Sequence, residues 1–504
     1  MKTSFRALSL TLALGGPLMA QGLTLDKTGG GIPGPATFPI QGGAGDFYAL
    51  LFSGVERSTP FPGLGITLDI SDDLVDICVA LPGFLGSLDA AGRASPALAI
   101  PNIPALEGIT LSFQALSGSQ ALAVSNMVRL TPQRVGTFRP SLQAPQLPIA
   151  GGGHAVAPDG SLLFVGGSGP AAQRYDSRRE EWSLAGVSFG VGLLSQTTGL
   201  PDGRVLFTGG LGLDGQPSAA AAIYDPSTQQ TTTLSMAIPR AGHGASLMGD
   251  GKVLITGGLE TVSLTDPLQL FAGIRASTEI FDPATGTFAA GPNMLEARAL
   301  HASSSLSTGE VLITGGLTLL PIVNIPTVSA TAYRYSPSSR SFGLPALMNG
   351  GRFLHSAVGL SDGKVLIAGG MTLDLSVFLQ TGNIADLIIG TRTDCQLYRP
   401  SLLGFGSFTT VAGMQEGRAG AAIAALPGGG ALIAGGFRLT IDLPNSAFEV
   451  TATASADLFS QGPNTIQPTG AMAAPRLFPL AVGLPDGTVM VVGGGPGAAE
   501  IYQR

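Results

Sequence analysis

The chain has 504 residues, long enough for several domains at the usual roughly 100–200 residues each, and carries 74 Gly and 36 Pro. Only 12% of residues are charged, against about 25% on average, while 44% are hydrophobic; this is a profile of short buried strands joined by Gly/Pro turns, and it argues against helical bundles and coiled coils. A formal net charge of −7 leaves no basic footprint and argues against nucleic acid as a partner.

Residues 1–21 read as a secretory signal. Lys2 and Arg6 supply the positive start, Ala7 to Leu14 the apolar core, and Leu18-Met19-Ala20 a cleavage site near Ala20. The apolar run is too short to cross a bilayer, and Gly15-Gly16-Pro17 breaks it as a core strand. No later run reaches membrane length, and no Cys follows the signal to take a lipid. The expected product is secreted, extracellular or periplasmic, without a membrane span. Its two cysteines, Cys78 and Cys395, fall in different candidate domains and are expected to stay separate buried thiols.

Residues 22–133 form the next segment, expected to be a small accessory β-sandwich. Phe47 to Val55, Ile66 to Ile70, Asp76 to Leu81 and Ile109 to Ala115 read as its strands. The run from Ala94 to Asn102, followed by Gly108-Ile109-Thr110-Leu111, resembles a small accessory β-domain of some secreted bacterial proteins. Thr131-Pro132-Gln133 marks the boundary.

From residue 134 the chain repeats. A hydrophobic run ending in Gly-Gly recurs, its first glycine being Gly166, Gly209, Gly257, Gly315, Gly369, Gly435 and Gly493. Shortly before each stands a turn signal, Asp159-Gly160, Asp202-Gly203, Asp250-Gly251, Asp362-Gly363 and Asp486-Gly487, read as a two-residue hairpin joining strands a and b. Thr308-Gly309 and Gly428-Gly429 replace it in two repeats. After each Gly pair an aromatic marks strand c: Tyr175, Tyr224, Phe281, Tyr335, Tyr398, Phe459 and Tyr502. Strand d often adds a second ring. The interval from that ring to the next Gly pair is constant, from Trp182 to Gly209, Phe288 to Gly315 and Phe342 to Gly369, and Phe408 and Ile466 keep it.

These Gly-Gly, Tyr and Trp/Phe positions resemble kelch repeats, whose period is about 50 residues. The resemblance covers residues 134–504 and implies an all-β, seven-bladed β-propeller. Several repeats depart from it by placing Phe, Ile or Thr where the family prefers Trp. The chain stops just after Tyr502, so a segment near 136–141 is expected to supply the last blade's fourth strand and close the ring. Phe138 precedes Gly166 at nearly the strand-d interval of the other repeats.

Candidate chemistry is sparse. All four histidines fall at one repeat position to within two places: His243, His301 and His355 precede their Gly pairs by the same interval, and His154 stands slightly closer to its own. Blade packing explains them better than a metal, whose ligands must converge on one point. Copper-radical oxidases share the kelch-type propeller but need a Cys–Tyr crosslink with clustered His and Tyr. Five of the seven tyrosines here are strand-c residues, and Cys395 sits on a strand c. No Asp-box, no Gly-x-Ser-x-Gly elbow and no phosphate loop is present. No catalytic residue, metal or cofactor is therefore assigned.

Arginines stand out more. Arg240, Arg298, Arg352, Arg418 and Arg476 precede Gly257, Gly315, Gly369, Gly435 and Gly493 by one unvarying interval, where strand a begins; Gly192 takes that place in the second repeat. Kelch repeats commonly carry Arg here. Two readings stay open: bonds to carbonyls or carboxylates of adjacent blades, or an anion-binding rim at the channel mouth using the planar guanidinium fork. The gap from Gly pair to strand-c aromatic is short in the first and last repeats, Gly167 to Tyr175 and Gly494 to Tyr502, and more than twice as long in the third to sixth. These long b–c loops are apolar, as at 268–271, 319–323 and 375–379, and 439–451 alternates like a projecting hairpin. They either pack together or expose a patch for a partner.

The expectation is a non-catalytic binding protein that meets a protein or glycan through its b–c loop face. The alternative is a carbohydrate-active enzyme, a sugar isomerase or oxidase, at the channel mouth. A buried carboxylate facing the arginines with a perturbed pKa would favour the latter.

Overall fold

The computed structural model describes residues 22–504 apart from 63, 120, 150–151, 158, 166–170, 189–191, 263–272, 320–325, 375–377, 382–387, 402–405, 443–446 and 498. The expected secretory signal and the first Gly pair lie outside the described residues, as do most of the loop runs 268–271, 319–323 and 375–379. No described helix is long and apolar enough to cross a membrane.

The chain is all-β. Residues 23–130 gather around one core in which Phe38 stacks on Phe113 at 4.2 Å and Phe52 and Phe84 pack at its edge. Its main sheet pairs Phe47–Ser53 with Leu111–Gly118, and Leu85–Ser87, Ala123–Val124 and Val128–Leu130 extend it. Two sequence expectations shift. The strand expected from Ile109 runs instead over Leu111–Gly118. Asp76 to Leu81 is not a strand, because Val75–Ala80 is a helix. Leu74, Val75, Cys78 and Leu81 recur at helical spacing, and that stripe packs on the core while Asp76 and Ile77 face solvent.

Residues 137–503 form seven consecutive antiparallel sheets of four main strands each, numbered here one to seven. Their first strands are Gly153–Val156, Gln196–Gly199, Gly244–Leu247, Ala302–Ser305, Ser356–Gly359, Ala422–Ala425 and Leu480–Gly483. Each lies beside the first strand of the next sheet, and the seventh lies beside the first, so the sheets follow one another round a ring. In sheet seven the outer strand is Thr137–Pro140, paired antiparallel with Glu500–Gln503.

Within each sheet the second strand is buried throughout where its side chains are described, as in Val253–Thr256 and Val365–Ala368, which is why these runs are continuously apolar. The strand-c aromatic faces its strand-d partner directly across the ladder. Tyr175 meets Trp182 at 5.0 Å, Phe281 meets Phe288 at 4.8 Å, and Phe138 meets Tyr502 at 5.0 Å. Such cross-strand ring pairs are the unit of sheet stabilisation.

The a–b turns differ from the two-residue hairpins expected. In sheet two, Leu200 and Arg204 are still hydrogen-bonded at 2.8 Å, leaving a three-residue loop in which only Gly203 has positive φ, +86°. Asp202 is not among the positive-φ residues and accepts the Arg204 N–H at 3.0 Å, and Asp159, Asp250, Asp362 and Asp486 likewise accept the N–H two residues on. The Asp serves as a local acceptor, and the Gly supplies the left-handed residue.

Candidate functional site

The connection entering each of sheets three to seven carries a short device whose parts come from the repeat. Its arginine lies inside the sheet corner. Expected at a channel mouth, Arg240, Arg298, Arg352, Arg418 and Arg476 are instead only 0–2% exposed. Each side chain donates to the first Gly carbonyl of the sheet being entered: Gly257, Gly315, Gly369, Gly435 and Gly493, at 2.6, 2.8, 2.9, 3.3 and 3.2 Å. Each arginine carbonyl accepts from the second Gly N–H of the preceding sheet: Gly210, Gly258, Gly316, Gly370 and Gly436, at 2.8–2.9 Å. One residue thus clasps two sheets.

The Gly pair is dictated by the same contact. A Cβ on Gly257 would sit 2.2 Å from the Arg298 carbonyl oxygen, and φ there is +57°. On Gly258 it would meet the His243 side chain at 2.8 Å. No other residue fits either place.

Partners of the guanidiniums come from strand c, two residues before its aromatic. Glu279 holds Arg240 at 3.2 Å, Asp457 holds Arg418 at 2.7 Å, and Glu500 holds Arg476 at 2.9 Å. In sheet four Tyr333 takes the place, its ring 4.9 Å beneath Arg298, while Glu296 pairs with that arginine at 2.7 Å. Gln396 fills it in sheet five, and Arg352 pairs with Asp394 at 2.6 Å. The same strand-c residues accept an N–H from the entering connection: Leu147 to Gln173, Ala237 to Glu279, Asn349 to Gln396, Gln415 to Asp457 and Ala473 to Glu500. Burial draws the Arg418–Asp457 pair towards its neutral forms, pushing the carboxyl up and the guanidinium down, each opposed by its partner. These carboxylates face arginines, but they work as internal struts.

Two residues past the arginine position the backbone turns left-handed, at Leu194, Gly242, Leu300, Leu354, Gly420 and Phe478. Positive φ in Leu or Phe is a strained conformation held by its surroundings. Here the holding is visible. The Gly242 N–H donates to the Leu194 carbonyl at 3.0 Å, Leu300 to Gly242 at 2.8 Å, Leu354 to Leu300 at 2.9 Å and Gly420 to Leu354 at 2.8 Å. A belt of peptide hydrogen bonds therefore runs from sheet to sheet.

The belt residues and their successors line a cavity of about 200 Å³, reached by Ser195, Gln196, His243, His301, His355 and Ser356 among others. Each of the three histidines bonds through Nε2 to the Thr before the preceding sheet's Gly pair: Thr208, Thr256 and Thr314, at 2.8–2.9 Å. Their Nδ1 atoms are buried without a partner. Burial holds His243 and His355 down at about 3, so they are neutral at pH 7. His154 does not share this position. It lies within the strand Gly153–Val156 opposite Phe164, where burial lowers it to about 4.

Beside the cavity, three sheets extend their b–c connections into extra hairpins: Leu317–Leu319 with Pro326–Val328, Met371–Asp374 with Ile388–Thr391, and Phe437–Asp442 with Ala447–Ala452. Neighbouring hairpins adjoin one another. Leu317, Phe353, Met371 and Phe437 are buried together, and Leu319, Val328, Ile389 and Leu439 pack on them. The described apolar loop residues thus form a shared layer, a wall along sheets four to six.

No family model matches the chain, and no curated protein matches it. Among solved structures, one described as a novel fungal alcohol oxidase with catalytic diversity among the AA5 family, in complex with copper, superposes with a TM-score of 0.53. It is 19% identical, covering 73% of this chain and 76% of that one. Another, titled the structure of YjhT, has a TM-score of 0.49 and 17% identity, covering 65% of this chain and 99% of that one. The fold is a β-propeller of the galactose-oxidase-like type. Copper does not suit the residues here. Cys395 is buried in a strand, the axial histidines hold threonines through Nε2, and among the described residues no three His, Cys, Asp or Glu side chains gather as a metal set.

Proposed function

We propose that this is an exported protein in which residues 134–504 form a seven-bladed kelch-type propeller and residues 22–133 a small β-sandwich. In this reading it binds a protein or glycan ligand on the hairpin-bearing face without catalysing a reaction. The observation that carries the reading is the asymmetry of that face. A hairpin wall stands over sheets four to six, beside an axial cavity whose lining includes no Asp, Glu, Lys or Arg among the described residues. Neutral imidazoles, hydroxyls and backbone can recognise a ligand by hydrogen bonds, but they offer no matched acid and base.

A carbohydrate-active enzyme at the channel mouth is the second reading, and the fold of the fungal oxidase supports keeping it in view. Against it, Glu279, Asp457 and Glu500 are tied to arginines and connection amides. One experiment separates the two: a glycan array probed with the chain lacking residues 1–20 and with its Gln196→Trp variant, followed by turnover assays on any hit. Binding lost in the variant without turnover supports the binding reading, and turnover supports the enzyme. No glycan binding moves the search to protein ligands of the hairpin wall.

A further inference from the structure

The arginine clasp joins sheets two to three, three to four, four to five, five to six and six to seven. It is missing at the junction of sheets one and two, where Gly192 takes the position, and at the junction of sheet seven with sheet one. Ile149 stands in the arginine's place there, and it keeps only the backbone half of the device, accepting the Gly494 N–H at 2.8 Å. An apolar side chain has no donor for a carbonyl across the junction. This is also the junction where the two ends of the ring meet.

On the opposite face of the same junction lies a buried ion cluster found at no other described junction. Lys27, Glu180 and Asp486 are only 7%, 1% and 9% exposed. The Lys27 ammonium is 3.3 Å from Asp486 in the a–b turn of sheet seven, and 3.6 Å from Glu180 in the c–d turn of sheet one. Glu180 also accepts from both terminal guanidinium nitrogens of Arg139, from the outer strand of sheet seven, at 2.9 and 2.6 Å. Gly29 donates to the Asp486 carbonyl at 3.2 Å, and Gln133 donates to the Ile501 carbonyl at 3.0 Å.

The burial is specific to this place. The matching a–b turn residues Asp202, Asp250 and Asp362 are exposed, as are Gln229 and Arg340, which share Glu180's turn position and left-handed backbone. Where residues 22–133 lie against the ring, Glu180 and Asp486 of these turns are taken out of water. Two cations and two carboxylates there satisfy one another, and removing one leaves a buried charge without a partner.

We propose that Lys27, with Gly29, Gln133 and Arg139, forms an ionic latch by which the amino-terminal region holds sheets one and seven together where the arginine clasp is absent. The amino-terminal region then governs opening of the ring at one defined seam.

Native-state hydrogen exchange on the full chain tests this with Lys27→Met. Amides of Leu162–Val165 and Glu500–Gln503 should exchange at least tenfold faster, while Val253–Thr256 and Val365–Ala368 stay unchanged. Acceleration spread equally over all sheets, or none at all, would overturn the latch. Asp486→Asn keeps the Glu180–Arg139 pair and gives a milder version, decisive if Lys27→Met does not fold; its acceleration must fall on the same two strands. Arg298→Met serves as the contrast, since it should loosen sheets three and four and leave the seam alone.

Discussion

Two sectors of the ring solve one problem differently. Sheets three to seven repeat a single device, in which one arginine and one Gly pair bind neighbours through side chain and backbone together. Sheets one and two depart from it. Ile149 and Gly192 take the arginine position, and the load at the seam passes to Lys27, Glu180 and Asp486 on the opposite face. The repeating sector also carries the axial histidines and the hairpin wall, while Gly152, Leu194, Ser195 and Gln196 of sheets one and two complete the cavity lining. The irregular part joins the chain's two halves.

If buried pairing sets the strength of each clasp, the clasps should not be equal. Arg418→Met leaves Asp457 wholly buried and unpaired, and should cost about 3–5 kcal/mol by urea unfolding. Arg352→Met should cost less, because Asp394 is partly exposed and keeps Arg392 at 2.7 Å. Equal losses would show that burial of the partner does not decide the matter.

Glycine substitution sharpens the contrast between corner and turn. Gly257→Ala, with a carbonyl 2.2 Å from the new Cβ, should lose more than Gly286→Ala, where φ is +68° but nothing lies within 4 Å. The expected cost for left-handed backbone alone is about 1–3 kcal/mol, and the clash adds to it at Gly257. Thermal unfolding of the two variants gives the comparison directly.

Acid should strike the histidine-bearing sector first. His243 and His355 titrate at about 3 when folded and near 6.5 when unfolded. Their burial is fully compatible with folding above pH 6.5. Below it the unfolded chain gains the protons, and stability is lost as pH falls towards 3, by up to about 1.4 kcal/mol per pH unit for each group. Urea midpoints between pH 7 and 5 should fall, and His355→Gln should flatten that slope. The smallest effect belongs to Leu213→Ser: that side chain is fully exposed, and stability should move by less than about 0.5 kcal/mol.

The all-β class and the aromatic ladder were legible because they rest on local spacing: Tyr175 and Trp182 must face each other once their strands pair. The arginines' bonds to carbonyls and carboxylates were legible as one of two open readings, but which groups they touch was not, since the Gly carbonyl of the sheet being entered and the strand-c carboxylate are brought there only by the sheet corner. A signal existed all the same. Gln173, Glu279, Gln396, Asp457 and Glu500 put a polar residue two places before the strand-c aromatic in otherwise apolar strands, and a buried polar group at a repeating position implies a repeating partner. The helix at Val75–Ala80 was missed because so short a segment shows barely more than one helical period. The turn type was missed because Asp-Gly serves both a two-residue and a three-residue loop.

The belt of peptide bonds around the axial cavity has a corollary. From Leu194 to Gly420 its members bond through main-chain atoms, so the spacing of these sheets is set by peptide geometry, while a Cβ on Gly242 or Gly420 would press on the Leu300 or Phe478 side chain. The next position in each repeat makes none of the belt hydrogen bonds, and it holds Ser195, His243, His301, His355, Ala421 and Pro479 in turn. Scaffold and lining are thereby separated: the residue at this position can change, one per sheet, without breaking a hydrogen bond of the belt.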